Sequence, residues 1–213
     1  MPNRIDRNSD MKLMDYPARN RENGFSLIEL LFAMGIFMII LAAITSAFIS
    51  QRKSYDVQEQ IAEMTQGARS AMDMLSTEIR LAGYRLPDAE FGMPYSTSQL
   101  QLFADLNGDG DTLDPDENII YTYDGTNLRI NRKDFNTEDV AYPFTENIEE
   151  FSFTYFEGDG VTEVTSTDDD GKIRQIEIKI VAQTSEADPD YSSNSGYRIV
   201  TLTSRVTPIN LGL

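Results

Sequence analysis

The chain has 213 residues with 18 Lys and Arg against 35 Asp and Glu, a formal net charge of −17, and neither Cys nor His. That excludes disulfides, thiol chemistry and cysteine metal sites, and removes the commonest general base and the usual zinc ligand. A surface this acidic repels phosphate backbones, and no run of Lys or Arg offers a local patch, so no direct nucleic-acid binding is expected.

Residues 1–24 form a short charged segment with Arg4, Arg7, Lys12, Arg19 and Arg21, and Met11-Lys12 would begin a shorter segment of the same character. From Phe25 to Ile49 the chain is apolar for 25 residues, with Glu29 its only ionisable side chain. As a helix this run is about 37 Å long, enough to span a hydrocarbon core of about 30 Å. No A-x-A cleavage pattern punctuates it, so it reads as a retained anchor rather than a secretory signal. The basic flank places residues 1–24 on the cytoplasmic side, although Arg52 and Lys53 follow the run.

A carboxylate at membrane depth costs on the order of 2.5–3.5 kcal/mol on insertion scales, so Glu29 is a functional candidate. Cleavage after Gly24 would give Phe25 a new amine four residues away, at the positive end of the same helix, and pairing with such an amine would offset the desolvation of both groups. A Glu snorkelling near a helix N-terminus is the plainer alternative.

The amphipathic half follows over residues 50–82. Val57, Ile61, Met64, Ala68, Ala71 and Leu75 recur at steps of four and three, with Met72 and Ile79 widening the stripe. Met64, Met72 and Met74 read as core filling. Gly83 and Pro87 end the helix, which is expected from about Phe25 to about Leu81.

Over residues 83–213 the period becomes that of strands. Leu100 and Leu102 precede an acidic loop. Ile119–Tyr123 and Leu128–Arg132 flank the hairpin signal Asp124-Gly125. Phe151, Phe153 and Tyr155 alternate with polar residues, as do Ile176, Ile178 and Ile180, and a last strand runs near Tyr197–Val206 before Pro208. Such alternation gives each strand one buried and one wet face. The expected fold is α+β, a long N-terminal helix packed on an antiparallel sheet.

Asp105-Leu106-Asn107-Gly108-Asp109-Gly110-Asp111 sets oxygen ligands at positions one, three and five and Gly at six, as in an EF-hand-type calcium loop. Asp111 would supply its backbone carbonyl. Position twelve is Asp116 instead of Glu, with Glu117 one step on, and strands rather than helices flank the loop. Asp105, Asn107, Asp109, Asp111, Asp116 and Glu117 are thus candidate calcium ligands, with a solvated acidic turn as the alternative. Asp168-Asp169-Asp170-Gly171 reads as a solvated turn, and residues 185–196 as an exposed loop. No nucleophile, base and oxyanion set stands out, so no enzyme is expected.

The string Gly24-Phe25-Ser26-Leu27-Ile28-Glu29 resembles the processing and N-methylation signature of the type IV pilin superfamily. The resemblance implies cleavage by a prepilin peptidase after Gly24, N-methylation of Phe25, and docking of Glu29 against the N-terminus of a neighbouring subunit. It also implies a pilin-like fold. Met72–Tyr84, the Asp105–Asp111 loop and Ile173–Ile178 resemble the W-type minor pilins, with the J-type pseudopilins of type II secretion as near relatives. The implied function is a minor pilin that primes pilus assembly with other pilins as partners, held as a single-pass inner-membrane protein before reaching the pilus or cell surface. A secretion pseudopilin and a membrane-anchored, calcium-responsive adhesion module are the alternatives.

Overall fold

The computed structural model describes residues 24–86 and 92–211. Its residues form two compact units, one ending at Ser50 and the other beginning at Gln51. The leader, except Gly24, and the expected stop at Pro87 lie outside the described residues.

Helix α1 (Leu27–Leu81) is the only α-helix among the described residues. Its apolar part is exposed on every side through Ser50, and it is long and apolar enough to cross a membrane. A helix hydrophobic all round needs an apolar environment. The polar groups of this part are correspondingly few, and Thr45 Oγ1 donates to Leu41 O within the helix at 2.8 Å.

In the second unit, the α1 stripe turns inward. Ala68, Ala71, Met72, Leu75 and Ile79 are buried, at the steps of three and four that the sequence shows, and Met64 packs against them in part. Met74 departs from the expectation of core filling: it is 42% exposed, because the residue before Leu75 falls on a different face of the helix. The helix stops where Gly83 takes φ +79° and its N–H donates to Phe103 O at 2.9 Å, handing the chain end to the first strand.

The strands are β1 (Gln99–Phe103), β2 (Asn118–Asp124), β3 (Arg129–Asp134), β4 (Tyr142–Glu146), β5 (Ile148–Phe156), β6 (Glu163–Val164), β7 (Gln175–Gln183) and β8 (Ile199–Val206). They make two four-stranded sheets, β1-β2-β3-β4 and β6-β5-β7-β8, every pairing antiparallel. The single sheet expected from periodicity is therefore two. The division falls between β4 and β5, where Asn147 takes φ +59°.

β4 and β6 escaped the sequence pattern: β6 has two residues, and β4 contains Pro143, which is confined to an edge strand because it cannot donate to the ladder. Elsewhere alternation translates directly into packing. Phe151, Phe153 and Tyr155 lie opposite Ile180, Ile178 and Ile176, and all but the partly buried Phe153 are core residues. With Leu75 and Ile79, these side chains form one continuous apolar cluster between helix and sheets.

Candidate functional site

Two sets of residues carry the expected chemistry. At the first, Gly24, Phe25 and Ser26 precede the first helical residue, Leu27, and all three are exposed. Among the described residues, nothing lies within 4 Å of the position a Cβ on Gly24 would take. The Gly24–Phe25 bond thus lies in exposed, non-helical chain. Glu29 sits in the first helical turn, where a negative charge complements the unpaired backbone N–H groups. It is exposed among exposed apolar neighbours, Leu27, Ile28, Leu30 and Leu31.

The second set is the acidic loop between β1 and β2. Asp105 is 2% and Glu117 1% exposed, and together they fix the loop backbone. Asp105 accepts the N–H of Gly108 on Oδ1 at 2.5 Å and that of Gly110 on Oδ2 at 3.0 Å. Glu117 accepts Leu106 N–H at 2.7 Å, Asn107 N–H at 3.2 Å and Asp114 N–H at 3.3 Å. Both glycines have positive φ, +85° and +94°, which a residue with a Cβ rarely adopts. The Cβ space of Gly108 is moreover filled by the Arg85 guanidinium.

The outer carboxylates converge. Oxygens of Asp109, Asp111 and Asp114 lie within 4.8 Å of one another. The Asn107 amide stands between two of them, its Nδ2 donating to Asp109 Oδ2 at 3.1 Å and Asp114 Oδ2 at 2.6 Å. Hydrogen bonds from the Asp111 backbone and the Asn107 side chain hold the Asp109 carboxyl below its usual range. Burial and the neighbouring Asp109 and Glu117 charges push that of Asp114 up.

The expected ligand set therefore divides. Asp109 and Asp111 come together with Asp114, which the pattern had not selected. Asp105 and Glu117 serve the loop backbone from within. Asp116 turns away: it has φ +63°, its N–H donates to Asp134 at 2.9 Å, and its Oδ1 accepts from Arg132 Nη2 at 2.9 Å. Three close carboxylates offer hard oxygen donors of the kind calcium takes, at spacings compatible with a shared cation, while the Asn107 amide presents its nitrogen to two of them. Asp114 occupies position ten of the loop, and its acidic type was the one signal available for it. The Arg132 bridge had none, since it joins residues far apart in sequence.

Comparison with families of known proteins bears on the first set. Residues 19–45 match the prokaryotic N-terminal methylation motif. The methylation motif takes in Gly24, Phe25 and Glu29 and extends through the apolar part of α1 as far as Thr45. With it, the chain reads as a structural subunit, not an enzyme. Among solved structures, a type IV-like pilin from Thermus thermophilus is similar over 71% of this chain and 100% of its own, at 15% identity and a TM-score of 0.48. No curated protein matches the chain.

Proposed function

We propose that this protein is a minor type IV pilin: it is cut by prepilin peptidase after Gly24, N-methylated on Phe25, and packed by its apolar helix into a filament that it helps to prime. The observation that carries the reading is the methylation motif at residues 19–45, which runs into a helix whose apolar part is bare on all sides. Such a helix rests in the inner membrane before assembly and against other pilins afterwards. Glu29 then meets the positive amine of a neighbouring Phe25, which offsets the cost of a carboxylate in apolar surroundings. The rest of the chain faces the periplasm and later the cell surface.

Mass spectrometry of the N-terminal peptide, from cells that contain prepilin peptidase, tests the proposal. A chain that begins at methylated Phe25 is expected, and an uncut leader overturns it. A secretion pseudopilin would share the same processing; recovery of the chain in sheared surface pili favours the pilus, whereas loss of exoprotein secretion with intact pili favours secretion.

Calcium at the acidic loop is part of the reading, supported by the convergence of Asp109, Asp111 and Asp114. Calcium is expected to raise the Tm of the full chain in detergent relative to chelator, since a ligand bound only by the native state stabilises it. The rise should vanish in Asp109→Asn and Asp111→Asn. An unchanged Tm removes calcium and leaves the pilin reading standing.

A further inference from the structure

Asn107-Gly108 is a chemically labile pair at the tip of an exposed loop. In water, the backbone nitrogen after an asparagine can attack the side-chain amide carbon, and glycine hinders that approach least because it has no Cβ. Asn107 is exposed, along with Leu106, Gly108, Asp109 and Gly110. What stands in the way is a hydrogen bond: the nitrogen that would attack is the one whose N–H is held by Asp105 Oδ1 at 2.5 Å.

We infer that Asn107 is a latent deamidation site and that the buried carboxylate of Asp105 keeps it closed. In the reaction, hydroxide removes the Gly108 N–H proton and the nitrogen attacks Asn107 Cγ. The former amide nitrogen leaves as ammonia, taking up a proton from water, and a cyclic imide remains. Water then adds across one of the two imide C–N bonds, leaving aspartate or isoaspartate at position 107. No oxidant or cofactor enters.

Asp105 opposes the first step twice. Its negative charge raises the cost of taking a proton from the N–H it accepts, and the hydrogen bond fixes the nitrogen on the Asp105 side, away from Cγ. The Asn107 side chain is turned as well, with its Oδ1 accepting Asp109 N–H at 2.9 Å and its Nδ2 on Asp109 and Asp114. The same carboxylate holds the Gly110 N–H at 3.0 Å, so the Asp109-Gly110 pair, which can form the same imide with loss of water, is closed by the same latch. Deamidation would put another carboxylate beside Asp109 and Asp114, and isoaspartate would add a backbone carbon to a loop whose glycines are set at +85° and +94°.

The test is peptide mapping by mass spectrometry of the full chain in detergent, incubated at mildly alkaline pH. Folded protein is compared with protein in urea and with Asp105→Ala and Asp105→Asn. Position 107 should convert about ten- to a hundredfold more slowly in the folded chain than in urea, the factor that breaking a hydrogen bond to a charged acceptor implies. Folded Asp105→Ala should recover at least about a tenth of the rate in urea, while Asn127-Leu128 and Asn136-Thr137 stay unchanged. Equal rates in the folded and urea samples overturn the inference, as does a folded Asp105→Ala that converts no faster than wild type. If Asp105→Ala does not fold, Asp105→Asn, which keeps an acceptor but loses the charge, decides: it must convert faster than wild type, and an unchanged rate overturns the inference.

Discussion

Arg132 on β3 places its Nη2 3.1 Å from Oε1 of Glu78 on α1, tying the first sheet to the helix. The Tyr121 hydroxyl donates to the other Glu78 oxygen at 2.5 Å, and Arg132 reaches on to Asp116 at 2.9 Å, so helix, sheet and acidic loop share one charged cluster. Burial, with the Glu78 charge beside it, pushes the Tyr121 hydroxyl well above its ordinary range and keeps it a donor.

Arg132→Ala should therefore destabilise the fold by about 1–3 kcal/mol, because it leaves a half-buried Glu78 with only the Tyr121 hydroxyl as partner. Glu78→Gln, which keeps an acceptor for Tyr121, should cost less. Urea unfolding of the full chain in detergent, followed by tyrosine circular dichroism, measures both. Equal stability of wild type and Arg132→Ala would show that the cluster is screened by solvent.

Leu75 is 0% exposed and lies at the centre of the helix stripe. Leu75→Ala should cost about 2–5 kcal/mol, the range for a buried leucine whose cavity does not fully collapse. Met74→Ala, one residue away on an exposed face, should change stability by less than about 1 kcal/mol. The contrast in urea midpoints tests the orientation of α1 on the sheets.

Gly83→Ala combines two penalties. A Cβ there would need φ +79° and would stand 2.8 Å from Leu211 Cδ2. A loss of about 1–3 kcal/mol is expected, read as a lowered Tm. Gly67→Ala is the control: it sits within α1 with nothing among the described residues within 4 Å of its Cβ position, and should be neutral or stabilising by up to about 1 kcal/mol.

Acid should weaken the fold. The Thr162 hydroxyl and the Val161 and Thr162 amides hold Asp159 down to about 2, from an ordinary 3.8. Asp124 and Asp188 are also lowered, mainly by hydrogen bonds from Asn127 and from the Asp190 backbone. A depressed folded-state pKa means that the unfolded chain binds more protons between about pH 4 and 2, so the contribution is complete above the unfolded value and lost as pH falls through the folded one. Tm should rise with pH across that window, and Asp159→Asn should flatten part of the slope. Asp159 is exposed, so its contribution is small.

The N-terminal motif was legible because it is written in adjacent residues: the apolar run, its single carboxylate and the Gly-Phe junction need no tertiary partner. The stripe Ala68, Ala71, Leu75 and the alternation at Phe151–Tyr155 and Ile176–Ile180 were equally plain, since periodicity alone decides which face is apolar. The acidic loop was legible in type and only partly in role. Spacing names carboxylates, but it does not say which will satisfy buried backbone amides, as Asp105 and Glu117 do, and which will face outward.

By itself, then, the sequence determined a helix apolar all round at one end, amphipathic at the other, and followed by alternating strands. These are local properties, set by side-chain chemistry and the periods of helix and strand. Only the tertiary structure decided that the strands form two sheets, that Asp114 joins Asp109 and Asp111, and that Arg132 bridges Glu78 to Asp116. Each of those depends on residues distant in the chain meeting at a defined distance, and burial in the folded core fixes which polar groups must find one another.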